Sequence, residues 1–284
     1  MAGFSISVAS VEEMRLIAKW AAAEGWQPGA GDDEVFFPTD PHGFLIGQLN
    51  GQPISSISAV RYGRGHGFIG LYITVPGHRG QGYGLRTWQA GMERLAGRNI
   101  GLDGVVAQQA NYRKSGFRPA WRTTRYQGLL VGARRAAGVE TVDARSIGFA
   151  ELAAFDRRFF PAERDAFLAL WITTPGRQAV AARRNGSVVG FAVRRPAGNV
   201  DRIGPVFADS PEVAESLLAA LSTVGRPGEA PPVMIDVPAH NTAAVELAER
   251  VGLEAGWDTA RMYTGGAPQI DQHGIYAVTT LELG

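Results

Sequence analysis

Residues 70–95, GLYITVPGHRGQGYGLRTWQAGMERL, are the stretch that decides the fold. Leu71-Tyr72-Ile73-Thr74-Val75 is apolar and β-branched, the composition of a strand. Pro76 and Gly77 stop it. Arg79-Gly80-Gln81-Gly82-Tyr83-Gly84 follows, and a helix begins there, with Leu85, Trp88, Met92 and Leu95 along one apolar stripe. Strand, glycine loop and helix start together make an anion cradle. Glycines let the backbone approach a ligand, and the free N–H groups of a first helical turn point at it. Spacing excludes two phosphate loops. The P-loop needs a lysine that this loop lacks, and a dinucleotide fingerprint needs a third glycine where Leu85 stands. A glycine-rich turn that merely starts a helix is the other reading.

Arg79-x-x-Gly82-x-Gly84 resembles the pyrophosphate-binding motif Gln/Arg-x-x-Gly-x-Gly/Ala of the GNAT N-acetyltransferases. Pro76 fits the usual lead-in to that motif, with His78 at its aromatic position and Thr74 at its usual valine. Tyr112-x-x-x-Gly116-Phe117 resembles a second family segment, Tyr-x-Lys/Arg-x-Gly-Phe. The family usually has an asparagine seven residues before that tyrosine, where this chain has Val105. The resemblance implies acetyl-CoA as acyl-donor co-substrate. Its pyrophosphate would rest on Arg79, Gly80, Gln81, Gly82, Tyr83 and Gly84, and its pantetheine arm would run along Ile73, Thr74 and Val75. Tyr112 would return a proton to the departing thiolate, as a phenol near sulfur is able to do. Packing of helix against sheet is the alternative for Tyr112.

Upstream, Phe4 to Val8 reads as a strand, and Ser10 with Glu13 as a capping box for a helix carrying Met14, Ile17 and Ala21. A long polar segment follows, Glu24 to Asp33, then Phe36 and Phe37. Exposed rings beside carboxylates suit an amine-bearing acceptor. Trp26, Asp32 and Phe36 are therefore candidate acceptor residues and Asp33 the candidate base. A lid packing its own aromatics, with an aspartate capping a helix, accounts for the same residues. Asn50-Gly51 marks a hairpin, strands span Ile54 to Tyr62 and Gly101 to Val106, and Gly116 suits a helix C-terminus.

Beyond a Gly/Ala/Arg-rich linker at 128–138 the order recurs. Asn50-Gly51, Gly116-Phe117 and Arg125 find counterparts in Asn185-Gly186, Gly252-Leu253 and Arg261, each about 135 residues on. Asn241-x-x-Ala244-x-x-Leu247 also resembles a family helix. The cradle does not recur: Arg79, Gly82 and Gly84 fall on Ala214, Leu217 and Ala219, Tyr112 falls on Ala248, and Asp209 stands at the helix start, where a carboxylate repels an anion. The expected fold is α+β, two tandem GNAT-like domains, each a mixed, mostly antiparallel sheet flanked by helices. Residues 1–130 form the catalytic domain and 139–284 a degenerate one that covers the substrate cleft or stabilises the chain, with Tyr263 a candidate acceptor residue.

The 284 residues suit two domains, and 45% hydrophobic content supports real cores. A net charge of +1 with no basic block excludes nucleic acid as a partner by bulk charge. There is no cysteine, hence no disulfide, thiolate nucleophile or cysteine-based metal site. The five histidines lack metal-ligand spacing, so no metal is expected. Neither a leader nor a membrane span is read, and a cytoplasmic location is expected. The resemblance implies an N-acetyltransferase whose acceptor, a small-molecule amine or a peptide, attacks the thioester directly in a ternary complex. A non-catalytic acyl-CoA-binding regulatory module is the second reading. The acceptor's identity and the oligomeric state are not written in the sequence.

Overall fold

The computed structural model describes residues 3–222 and 231–284. The first half runs β1 (Phe4–Val8), α1 (Val11–Ala23), α2 (Asp32–Thr39), β2 (Phe44–Leu49), β3 (Gln52–Tyr62), β4 (His66–Thr74), α3 (Tyr83–Arg94), β5 (Asn99–Val105), α4 (Gln109–Lys114) and β6 (Arg118–Gly128). The second half runs β7 (Glu140–Asp143), α5 (Phe149–Asp156), α6 (Asp165–Thr173), β8 (Gln178–Arg184), β9 (Ser187–Ala197), β10 (Val200–Ala208), α7 (Pro211–Ser222), β11 (Val233–Pro238), α8 (Thr242–Arg250), β12 (Glu254–Tyr263) and β13 (Ile275–Ala277).

Local chemistry accounts for the boundaries. Ser10 Oγ accepts from the Glu13 N–H at 3.2 Å and Glu13 Oε2 accepts from the Ser10 N–H at 2.8 Å, closing the capping box of α1. Both hairpins turn on Asn-Gly pairs in the left-handed region, Asn50 and Gly51 at φ 51° and 81°, Asn185 and Gly186 at 51° and 84°. The segment that reads as a polar loop after Glu24 instead contains α2. Its apolar side docks on α6, and Phe36 stacks on Trp171 at 6.3 Å.

Each half contributes a mixed, mostly antiparallel sheet, and the two sheets are continuous. The strand order is β1-β2-β3-β4-β5-β12-β6-β11-β10-β9-β8-β7, with β13 added on β10. β6 of the first half and β12 of the second each lie in the sheet of the other half. β12 pairs with β5, and β6 pairs with both β12 and β11. Arg261, Met262 and Tyr263 end β12. One apolar core also draws on both halves, with Phe36, Phe44 and Phe68 beside Phe155, Phe160 and Trp171.

The parallel pairs β4/β5 and β10/β11 are short, and each pair parts beyond its ladder. In the second half the gap is filled. β13 pairs antiparallel with β10, Val206 opposite Ala277 and Phe207 opposite Ile275, and the Val278 N–H donates to the Asp236 carbonyl at 2.9 Å. In the first half no strand among the described residues enters the gap.

Because β6 is clasped between β12 and β11, a protease site inserted between the exposed Arg134 and Arg135 is expected to yield two fragments that co-elute at the size of the intact chain. Separation of the fragments under native conditions would contradict the exchange of strands.

Candidate active site

β4 pairs with β3 as far as Thr74 but with β5 only from His66 to Ile69. Gly70 to Thr74 therefore present a strand edge to open space. The divergence is built by a bulge: the β3–β4 register slips between Ser56 and Ser58, and Leu71 takes φ 46°, a conformation that L residues seldom adopt. The buried Ser56 Oγ donates to the Leu71 carbonyl at 2.8 Å and fixes the bulge.

A cleft of about 540 Å³ occupies the gap. At one end lie Arg79, Gly80, Gly82 and Gly84 ahead of α3. Gly80 and Gly82 are left-handed, φ 73° and 83°, so the loop needs glycine there. At Gly84 a Cβ would stand 2.6 Å from Thr74 Oγ1, so the glycine lets α3 seat against the end of β4. The first N–H groups of α3 face this end, an anion site by geometry. Arg79 folds back over the strand end: its Nε donates to the Thr74 carbonyl at 2.7 Å and its guanidinium pairs with Glu24 at the cleft mouth.

Tyr72, Trp88 and Tyr112 line the middle of the cleft. The Tyr112 ring sits 5.4 Å from Trp88, and Gly104 makes room for it, since a Cβ there would come within 2.5 Å of the ring. Burial, with Tyr72 nearby, pushes the Tyr112 hydroxyl up to about 12, so it holds its proton at neutral pH. Trp26, Arg125, Trp257, Thr259 and Glu282 also contribute to the cleft wall, where the Arg125 guanidinium lies 4.5 Å from the Trp257 ring centre.

Behind that wall runs a buried charge network. Asp236 receives Arg125 at 2.7 and 3.0 Å and Arg202 at 2.9 Å. Arg202 continues to Glu282 Oε1 at 3.1 Å. Across the sheet, Arg261 holds Asp103 at 2.8 and 2.7 Å. Burial alone would raise Asp236, but its two arginines outweigh burial and bring it to about 2. Asp103 has one arginine, burial wins, and its acidity is weakened. Among the described residues no group of three or more His, Asp or Glu is placed to hold a metal ion, and no helix is long and apolar enough to cross a membrane.

Residues 11–117 match the family model for the acetyltransferase (GNAT) family, and residues 152–277 match the model for an acetyltransferase (GNAT) domain. A holothin acyltransferase of Pseudoalteromonas sp. (strain SANK 73390) is 34% identical over 278 residues, 97% of this chain and 93% of that protein. The chain belongs to the GNAT acetyltransferase family. It carries two GNAT domains in tandem and is an enzyme of the N-acetyltransferase type. An uncharacterized N-acetyltransferase, YitH of Bacillus subtilis (strain 168), is 24% identical over 92% of the chain and 91% of that protein. In fold, a Pyrococcus horikoshii structure superposes with a TM-score of 0.82 at 22% identity, covering 100% of this chain and 97% of that one. A tandem GNAT protein from the clavulanic acid biosynthesis pathway gives 0.64 at 15% identity, covering 92% and 97%.

The tandem GNAT brings Ile73, Thr74, Arg79, Gly80, Gly82, Gly84, Tyr112 and Trp26 to one cleft. Other residues singled out in the sequence lie elsewhere. Gln81 bonds the Gly77 carbonyl, and the Tyr83 ring packs on Phe4 at 4.9 Å, so only their backbones face the cradle. The Val75 N–H is taken by the Ile54 carbonyl at 3.0 Å. Asp32 is not on an acceptor surface: it is 2% exposed and ion-paired with Arg177 and Arg195, each at 2.9 Å. Burial opposes its charge, yet those arginines keep it below its ordinary value. Phe36 is core, Asp33 is half-buried on α2 away from the cleft lining, and Tyr263 is buried beside Arg261. In the second half Ala214, Leu217 and Ala219 turn inward as core, and Asp209 at the start of α7 pairs with Arg158 at 2.7 Å. Tyr72, Gly104, Arg125, Trp257 and Glu282 escaped the sequence reading as site residues. The matched pair Arg125 and Arg261 was the one signal, since both arginines sit on exchanged strands.

Asp236 binds its proton near pH 2 in the folded chain and near its ordinary 3.8 when unfolded. The unfolded state therefore binds more protons between those values, so the stability this group contributes above pH 4 is lost as pH falls to 2. Asp236→Asn is expected to cost on the order of 3–5 kcal/mol at pH 7 by leaving two arginines short of a partner. It should also flatten the fall of the thermal midpoint between pH 4 and 2. A variant as stable as the wild type at pH 7 would show that the network does not hold the halves together.

Proposed function

We propose that this enzyme transfers an acetyl group from acetyl-CoA to a primary amine. The observation that carries the reading is the open edge of β4 from Gly70 to Thr74, continuous with the glycine cradle and with Tyr112 in a single cleft. Fixed N–H donors at the start of α3 suit a pyrophosphate, and a free strand edge suits a pantetheine arm carrying amide groups. The cradle residues fit this donor because Gly80, with nothing packed where its side chain would stand, and Gly82, in the left-handed region, leave the loop without side chains there.

Positioning supplies much of the rate in such a reaction. The amine nitrogen attacks the thioester carbon, the C–N bond forms as the C–S bond breaks, and Tyr112 gives its proton to the departing sulfur. The hydroxyl, protonated at neutral pH, is suited to that role. The acceptor enters beside Trp26 and Trp257, an aromatic frame that favours a small-molecule amine over an extended peptide. The holothin acyltransferase similarity supports acyl transfer in general; the acceptor here is argued from the cleft wall alone.

Calorimetric titration is expected to show one acetyl-CoA per chain. An Arg79→Glu, Gly82→Leu double variant should lose that binding, while Tyr112→Phe should keep it and lose about 100-fold in turnover. Two sites per chain would contradict the assignment to the first half, and an unchanged Tyr112→Phe turnover would contradict the proton donor.

A further inference from the structure

The acyl-transfer reading leaves the nitrogen's proton without a destination. Asp33 lies outside the cleft lining, and Asp32 is consumed by two arginines. Three carboxylates do line the cleft, Glu24, Asp103 and Glu282. Glu24 is paired with Arg79 at the mouth. Asp103 has both oxygens engaged by Arg261. Glu282 differs. It is 6% exposed, its Oε1 accepts from Arg202 at 3.1 Å, and its Oε2 is buried with no hydrogen-bond partner among the described residues. A buried acceptor left unpaired is costly, on the order of 1–3 kcal/mol and more for a charged group. Such an atom on a residue that lines a ligand cleft persists where the ligand brings the missing donor.

The rest of the segment is built to hold this carboxylate in place. After β13 fills the second half's gap, the chain crosses to the first half. There Thr280 Oγ1 accepts from the N–H groups of Glu282 at 3.1 Å and Leu283 at 2.9 Å, pinning the turn. Tyr62 donates to the Leu283 carbonyl at 3.1 Å. The Glu282 carbonyl lies against Gly70, where any side chain would overlap it. Gly70 opens the free edge of β4, so the turn is anchored beside the strand that the thioester would follow. Arg202 holds one oxygen and leaves the other without a partner, and Arg202 is itself fixed by Asp236.

We propose that Glu282, supplied by the second half, is the catalytic base of the first half's cleft, receiving a proton from the attacking amine through Oε2. This rests on the acyl-transfer reading above. An ammonium acceptor first loses one proton to solvent. As the neutral amine's nitrogen bonds to the thioester carbon, Glu282 takes a proton from that nitrogen, the C–S bond breaks, and the sulfur takes the Tyr112 proton. The carboxylic acid and phenolate left behind are reset by proton exchange through solvent, so one proton has moved from nitrogen to sulfur. The second GNAT domain thereby contributes a reacting group to a site whose donor cradle lies wholly in the first.

The test uses the full chain with acetyl-CoA and three amine probes, benzylamine, tyramine and tryptamine, following thiol release. Donor binding and thermal midpoint are measured on every variant. Glu282→Gln is expected to bind acetyl-CoA within about three-fold of wild type and to lose about 100-fold or more in kcat/KM for the amine. The acidic limb of its pH profile should lose the contribution of a protein base and keep only that of the amine's own deprotonation. Calorimetric binding of benzylamine to the donor-free chain should weaken about ten-fold, a readout independent of turnover. Glu282→Asp keeps the charge and should give an intermediate rate; it decides the matter if the glutamine variant fails to fold. The proposal is overturned if either variant binds donor normally and turns over within about three-fold of wild type with its pH profile intact. It is equally overturned if the wild type binds donor but acetylates none of the three amines. A wild type that does not bind donor refutes the acyl-transfer reading itself, and the role of Glu282 falls with it.

Discussion

Two arginine–aspartate pairs, each reaching from one half of the chain into the other, hold the architecture together. Arg125 on β6 stands opposite Asp236 on β11, and Arg261 on β12 stands opposite Asp103 on β5. The pairs are bidentate and buried, a geometry in which removing one partner strands the other's charge. They form only if β6 and β12 have exchanged sheets in the correct register. A slip of one residue would turn each arginine to the other face. The pairs thus specify the continuous sheet, and the sheet specifies where the parallel strands part.

The two partings have opposite fates. Beside β10 the space is taken by β13, and the helix start nearby is met by core side chains and by an aspartate already paired with Arg158. Beside β4 the space stays open and the helix start is bare glycine loop. Duplication gave the chain two clefts of one design. The segment that fills the second goes on to build part of the wall of the first. The second half does more than add a core: through Arg202, Asp236 and Glu282 it places buried charge at the wall of the first half's cleft.

What was legible in the sequence is what is encoded locally. The cradle is glycine spacing, the hairpins are Asn-Gly pairs, and the capping box is Ser10 with Glu13; each fixes its conformation within a few residues. The loss of the second cradle was legible for the same reason. The identity of a strand's neighbours was not, because the alternation in Arg118–Gly128 records that two faces differ and says nothing of which edge meets β11. Asp32 and Phe36 misled in a related way. Carboxylates and rings in a Gly-rich stretch look solvent-facing until α6 supplies Trp171, the turn into β8 supplies Arg177 and β9 supplies Arg195. Glu282 stood in a short apolar run with no pattern of its own, and only the fold brings it to Gly70.

The central claim is that one splayed strand pair binds the donor while its twin is permanently filled. Amide hydrogen exchange with and without saturating acetyl-CoA tests this most directly. New protection is predicted at residues 70–74 and 80–86, with residues 204–208 already protected by β13 and unchanged by ligand. Ligand-induced protection at 204–208 and at the start of α7, or none at 70–74, would contradict it.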